Sequence, residues 1–237
     1  MDKSEEKYSR QILFTPIGSK GHSRIRLARV GLVGLGALGS SIAETLVRAG
    51  IGTLVAIDRD VIEPSNLHRQ GLYQEDDAQN HLPKATAAKK RLEAMNSDVV
   101  VETHVADFRS ENAEELFTGC DVLVDGTDSF ETRYLINDLA VSMNIPWVYG
   151  ACVGATGMTA TIIPGTTPCL TCLFPDPPPP GSGETCDTAG IIAPASQIVA
   201  SLQVTECLKI LTESWDDLRP GLLSFELWPF RLIQIGT

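Results

Sequence analysis

The chain has 237 residues, 43% of them hydrophobic and 21% charged, and its 30 Asp and Glu against 19 Lys and Arg give a formal net charge of −11 at pH 7. This is the composition of a globular protein with core enough for one large domain or two small ones, and it excludes bulk disorder. An acidic chain with no basic face is not expected to bind nucleic acid, and a charged N-terminus (MDKSEEK) with no apolar run of spanning length predicts neither a leader nor a membrane segment, so the cytoplasm is the expected location.

Residues 1–29 come before the first strand; 8–14 read as a loop leading into a short arginine-rich helix within 18–28, able to pack on the domain or to reach a neighbour. The apolar run 30–33 has the length and glycine flank of a strand buried on both faces. Gly34, Gly36 and Gly39 then fall in G-x-G-x-x-G spacing: the first for a tight turn, the second for close approach of a phosphate, the third for close helix packing. Leu38, Ile42, Leu46 and Ala49 recur at helical spacing, with Gly50 as a stop, and a second strand runs to Asp58, whose carboxylate suits a ribose hydroxyl. Beyond it, 59–70 is a polar loop containing Pro64. The pattern continues with a helix over 84–95, a strand over 99–105, a helix over 111–118, a strand over 121–125, a helix over 131–143 and a strand over 145–149. This alternation predicts a doubly wound parallel sheet with right-handed crossovers.

The rhythm then changes. Residues 159–163 are strand-like, Cys169-Leu-Thr-Cys172 follows, and 175–183 form a proline-glycine loop. A long apolar helix spans 191–211, with Ile198, Leu202 and Leu208 expected to be covered, and 222–227 with 229–235 close the chain as an antiparallel pair. The fold class expected is α/β, a Rossmann-like doubly wound sheet, parallel in the N-terminal half with antiparallel strands in the C-terminal half.

The glycine turn alone specifies a nucleotide but not which one. Four further elements point to a triphosphate. Asp58-Arg-Asp60 and Asn66-Leu-His-Arg69-Gln70 bring carboxylates for ribose and a planar guanidinium for phosphate to one post-strand loop. Lys84 opens a helix, where a cation opposes the dipole and is better explained by a ligand. Asp128 follows a strand, a common position for a Mg²⁺ carboxylate. Arg10 has the chemistry of an arginine finger. Six cysteines are too few for a disulfide scaffold. Of these, Cys120, Cys152 and Cys207 lie in apolar stretches and read as core, and the four histidines need no role.

Taken in order, Tyr8-Ser-Arg-Gln11, Gly34-Leu-Gly-Ala-Leu-Gly39, Asp58-x-Asp60, Ser65-Asn-Leu-His-Arg-Gln70, Lys84, Gly126-Thr-Asp128, Cys169-x-x-Cys172 and Cys186-Asp-Thr-Ala-Gly190 resemble the ThiF/MoeB/HesA family, relatives of the ubiquitin-activating enzymes. The resemblance covers nearly the whole chain. It implies a single adenylating domain over 1–237: an N-terminal arm and helix (1–29), a nucleotide-binding half (30–150), and a carrier-binding half (151–237) with a crossover loop near 173–190. It implies that a ubiquitin-like sulfur-carrier protein ending in Gly-Gly attacks the α-phosphate of ATP to give an acyl-adenylate and pyrophosphate. By matching positions, Gly36 and Gly39 would lie at the nucleotide, Asp58 on the ribose, Asn66, Arg69 and Lys84 on the phosphates, and Asp128 on Mg²⁺, with Arg10 reaching across a homodimer. No general base is needed, because an α-carboxylate with a pKa of about 3.5 is already ionised.

The family pairs Cys169 and Cys172 with a second C-x-x-C to hold Zn²⁺. None follows in these 237 residues, so either the sequence is shortened, which we favour, or the site is incomplete. Cys186 matches a mobile-loop cysteine that some relatives join covalently to the carrier, although its acidic neighbours would raise its pKa. Ser129 stands where the family commonly has Asn, and that role is not carried over. Two alternatives remain: an NAD-dependent oxidoreductase, which would share the glycine turn and Asp58 but leaves the Arg, Lys and Asp set unexplained, and a non-catalytic scaffold relative. Among carriers, the resemblance leans toward the thiamin pathway.

Overall fold

The computed structural model describes residues 3–176 and 186–236. In chain order its elements are α1 (Lys3–Leu13), α2 (Gly18–Ile25), β1 (Arg29–Val33), α3 (Ala37–Ala49), β2 (Thr53–Ile57), α4 (Glu75–Gln79), α5 (Lys84–Met95), β3 (Val100–His104), α6 (Ser110–Phe117), β4 (Val122–Asp125) and α7 (Phe130–Met143). They continue with β5 (Trp147–Val153), β6 (Thr156–Ile162), α8 (Leu170–Leu173), α9 (Cys186–Ala189), α10 (Ala193–Leu211), β7 (Leu222–Leu227) and β8 (Phe230–Ile235). All eight strands form one sheet in the order β3-β2-β1-β4-β5-β6-β7-β8. The first five pair in parallel, and β5–β6, β6–β7 and β7–β8 are antiparallel. The mixed α/β sheet expected from the sequence is therefore observed.

Two cores result, because alternate residues of a strand face opposite sides of a sheet. On β2, Leu54 and Ala56 pack with Ile42 and Leu46 of α3, Leu92 of α5 and Val204 of α10. Val55 and Ile57 pack on the other side with Phe117 of α6, Ile136 of α7 and Trp147 of β5. Both faces are covered, which is why these strands read as unbroken apolar runs.

Several expectations need correction. Residues 8–14 belong mostly to helix α1; its sequence is polar on the whole, and Tyr8 is its buried anchor, with Lys7 bonded to Asn96 and Asp98 and Gln11 to the Ala49 carbonyl. The Tyr8 ring is 3% exposed, and its hydroxyl accepts a hydrogen bond from Asn96 Nδ2 at 2.7 Å. The short α4 was not foreseen. β5 runs on past Tyr149 to Val153 and turns through Gly154 into β6. On α10, Ile198 is 38% exposed, while Val199, Gln203 and Cys207 take the buried side. A helix that is apolar nearly all round does not reveal its inner face by periodicity. Cys120 and Cys207 are core residues as expected, burial raising both thiols, Cys120 to about 11; Cys152 instead lines the cleft described below. The proline-glycine loop expected at 175–183 lies, but for its first two residues, outside the described residues, as does the side chain of Cys186. No helix among the described residues is long and apolar enough to cross a membrane.

Candidate active site

At the C-terminal ends of β1, β2 and β4 three loops converge on a cleft of about 750 Å³. Its floor is the glycine turn. Gly34 has φ +90°, and a Cβ there would stand 2.7 Å from the Gly126 carbonyl oxygen. A Cβ on Gly39 would stand 1.9 Å from the Gly34 carbonyl oxygen, and one on Gly126 would stand 2.9 Å from the Gly39 Cα. Backbone from the β1–α3 and β4–α7 loops is thus in direct contact, with no room for a side chain between. Gly36 differs: a Cβ there would meet only Gln70 Nε2, at 3.9 Å, so the space above it opens into the cleft. Tyr73 braces the turn from beneath, its hydroxyl donating to the Leu35 carbonyl at 2.7 Å.

Asp58, at the end of β2, accepts the Leu35 N–H on Oδ2 at 2.6 Å and the Asp60 N–H on Oδ1 at 2.8 Å. Burial raises its pKa, opposed by the Lys84 charge and these two bonds, and the net shift is upward. Each oxygen keeps a lone pair for a further donor such as a ribose hydroxyl. Lys84 is 7% exposed, and its Nζ donates to Asp60 Oδ2 at 2.9 Å. The lysine is therefore held by a carboxylate of the post-β2 loop. Asn66 closes a short 3₁₀ turn, Oδ1 accepting the Glu63 N–H at 3.1 Å. Arg69 spends Nη1 on the Ser65 carbonyl at 2.9 Å, while its buried Nε has no hydrogen-bond partner. An orphaned guanidinium N–H in a cleft floored by backbone N–H groups fits a phosphate.

Asp128 lies exposed at the other wall, its carboxylate in no hydrogen bond or ion pair among the described residues. The turn that carries it is fixed from below. Asp125, 0% exposed, accepts Thr127 N–H and Oγ1–H at 2.9 and 2.8 Å, Arg133 Nε at 3.2 Å and Gly150 N–H at 3.3 Å. Arg133 Nη2 also donates to the Thr127 carbonyl at 2.9 Å. Gln203 of α10 stitches the neighbouring strands, Nε2 donating to the carbonyls of Asp125 and Val148 at 2.8 and 3.1 Å. Sequence reasoning missed Arg133, Gln203 and Tyr73; a charged or polar side chain among apolar helix neighbours was the available signal for the first two.

Gly36, Asp58, Asn66, Arg69, Lys84 and Asp128 all line this cleft, and Gly39 lies beneath it. Arg10 does not approach it. α1 packs on Gly50 and Asn96, which follow α3 and α5, at the end of the sheet opposite the cleft. Cys169 and Cys172 are at α8, their sulfurs 3.6 Å apart. Burial raises the Cys169 thiol, but hydrogen bonds from Cys172 and Thr171 outweigh it and the net pKa is lowered. No group of three His, Cys, Asp or Glu arranged for a metal occurs among the described residues. A lone carboxylate on the wall of a cleft has the chemistry to hold Mg²⁺, which takes most of its ligands from substrate and water. Two thiols are half of a structural zinc set and do not complete one.

The ThiF family model matches residues 8–235 of this chain. The chain belongs to the ThiF family. This ThiF-family chain is 52% identical over 222 residues to the sulfur carrier protein ThiS adenylyltransferase of Bacillus subtilis (strain 168), an overlap of 94% of this chain and 65% of that one. It is 40% identical over 226 residues to a sulfur carrier protein adenylyltransferase of Thermus thermophilus, covering 93% and 83%. It superposes on E. coli MccB crystallised with ATP at a TM-score of 0.84 and 21% identity, covering 97% and 71%, a likeness of fold. The chain thus spans about two thirds of the length of the Bacillus relative. Membership in this family sets the NAD-dependent oxidoreductase alternative aside.

Proposed function

We propose that this ThiF-family protein adenylates the C-terminal Gly-Gly carboxylate of a ubiquitin-like sulfur-carrier protein, consuming ATP and releasing pyrophosphate. The observation that carries the proposal is the convergence of Gly36, Asp58, Asn66, Arg69, Lys84 and Asp128 on one cleft. The names of the Bacillus and Thermus relatives agree with it. A ThiS-like carrier is the partner we favour.

The chemistry needs alignment of two anions rather than proton transfer, so the work falls to fixed donors and cations. Asp58 accepts from the ribose. The backbone of the glycine turn, Asn66 and the free edge of Arg69 hold the phosphates. Lys84 exchanges Asp60 for a phosphate oxygen. Mg²⁺, held by Asp128 and the phosphates, would neutralise part of the pyrophosphate charge. Arg10 is too far from its own cleft to act there, which favours a homodimer in which it serves the partner's site. Cys186 is reserved for a transfer step after adenylation. Cys169 and Cys172 would hold Zn²⁺ only with two further ligands, and no step runs through that metal. A cytoplasmic location without a nucleic-acid or membrane partner is part of this reading, and the acidic composition supports the exclusion of nucleic acid.

The test is carrier-dependent ATP–pyrophosphate exchange. Arg69→Ala and Asp128→Ala are each expected to abolish it, and near-normal exchange in both variants would refute the mechanism.

A further inference from the structure

Gln70 follows Arg69 and has no part in the chemistry so far. It is 3% exposed, yet it lines the cleft. Its backbone is fixed, the N–H donating to the Asn66 carbonyl at 3.0 Å and its own carbonyl accepting the Tyr73 N–H at 3.1 Å. The side-chain amide, in contrast, makes no hydrogen bond among the described residues, and Oε1 is a buried acceptor without a partner. A bare buried amide is costly, so one that is retained calls for a physical reason. Nε2 supplies the direction: it is the nearest atom to the open space above Gly36, 3.9 Å from where a Cβ would stand. That space is where a phosphate would ride over the turn.

We propose that Gln70 is a further catalytic residue, its Nε2 N–H donating to a non-bridging oxygen of the α-phosphoryl group as the carboxylate attacks. The inference rests on the adenylation reading above. In that step a carboxylate oxygen forms a bond to the α-phosphorus, the bond from that phosphorus to the oxygen bridging to the β-phosphoryl group breaks, and pyrophosphate leaves with the electron pair. No proton moves and nothing is oxidised or reduced. Charge on the non-bridging oxygens is redistributed as the new bond forms, and a donor carried on a 3%-exposed side chain at the edge of the open space over Gly36 is placed to stabilise it with little reorganisation. Because the amide makes no hydrogen bond among the described residues, its loss should leave the fold intact.

The experiment compares the wild type with Gln70→Met, which keeps the length and bulk of the side chain and removes its donors. It measures kcat and the KM for ATP in pyrophosphate exchange against a panel of Gly-Gly-ending carrier proteins, and the urea unfolding midpoint. We expect kcat to fall about 100-fold, the usual cost of losing one such donor. The KM for ATP should stay within about threefold, as for an interaction made chiefly in the transition state, with an unfolding midpoint no lower than that of the wild type. Gln70→Glu, of the same shape but anionic, should lose at least as much. Wild-type kcat in Gln70→Met overturns the assignment, as does a lowered midpoint with kcat unchanged, which would make the residue structural. If the wild type exchanges with no carrier, the adenylation reading itself falls and this inference with it; if the wild type exchanges and Gln70→Met equals it, only Gln70 is wrongly assigned.

Discussion

Arg133→Met is expected to destabilise the fold by about 3 kcal/mol, the low end of the usual loss when one member of a buried ion pair is removed. The pair is fully desolvated, Asp125 at 0% and Arg133 at 4% exposure. The low end applies because Asp125 keeps three neutral donors, Thr127 N–H, Thr127 Oγ1–H and Gly150 N–H, after Arg133 is gone. Asp125→Asn should cost more, about 4 kcal/mol, since it leaves the cation, among the described residues, with the Thr127 carbonyl, the rings of Phe130 and Tyr149, 5.2 and 5.6 Å away, and the more remote charge of Asp128. The double variant should recover part of the loss, because neither charge is then buried alone. Urea unfolding read as a shift of midpoint at constant slope checks all three. A single-variant loss under about 1 kcal/mol, or strict additivity in the double variant, would refute the reasoning. The same loosening reaches the Asp128 turn, so pyrophosphate exchange should drop in Arg133→Met even where the protein is fully folded.

Two glycines of one motif should fail differently. Gly39→Ala forces a methyl to 1.9 Å from the Gly34 carbonyl oxygen and should lower the melting temperature sharply, whereas Gly36→Ala should melt normally and lose the thermal shift given by ATP; equal behaviour of the two would refute the roles assigned to them. Stability should also fall as pH drops below about 6.5, the unperturbed histidine value, because burial and the Arg26 charge lower the pKa of His22 and the unfolded chain takes up its proton first. His22→Gln should remove that part of the slope, at most about 1.4 kcal/mol per pH unit, in urea midpoints compared at pH 5.5 and 7.5. Cys186→Ala should leave pyrophosphate exchange intact and affect only a later transfer, so lost exchange would contradict the role proposed for that residue.

Much of the fold was legible because β1, β2 and β4 are buried on both faces and carry unbroken apolar runs between glycines and helix formers. The cleft was legible for a topological reason: in an open parallel sheet the loops after successive strands meet at one edge, so polar residues following Ile57 and Asp125 were bound to converge. What escaped notice depends on contacts distant in sequence. The polar α1 hangs on Tyr8 and Asn96, 88 positions apart. Gln203 reaches carbonyls 78 and 55 positions away. Asp60 reads from the sequence as a second carboxylate for ribose, and only the folded chain shows that it holds Lys84. α10 is apolar on nearly every side and so conceals which side is covered, as Ile198 shows.

The meeting of Gly34, Gly39 and Gly126 has a dynamic consequence. With backbone against backbone and no rotatable side chain between the two loops, nothing at that junction can act as a soft spring. The glycine turn that floors the cleft and the segment bearing Asp128 form one stiff body, so a displacement of either carries the other with it. Little ordering entropy is then left to be lost when a nucleotide arrives, and the mobility that substrate exchange requires has to come from the outer walls of the cleft.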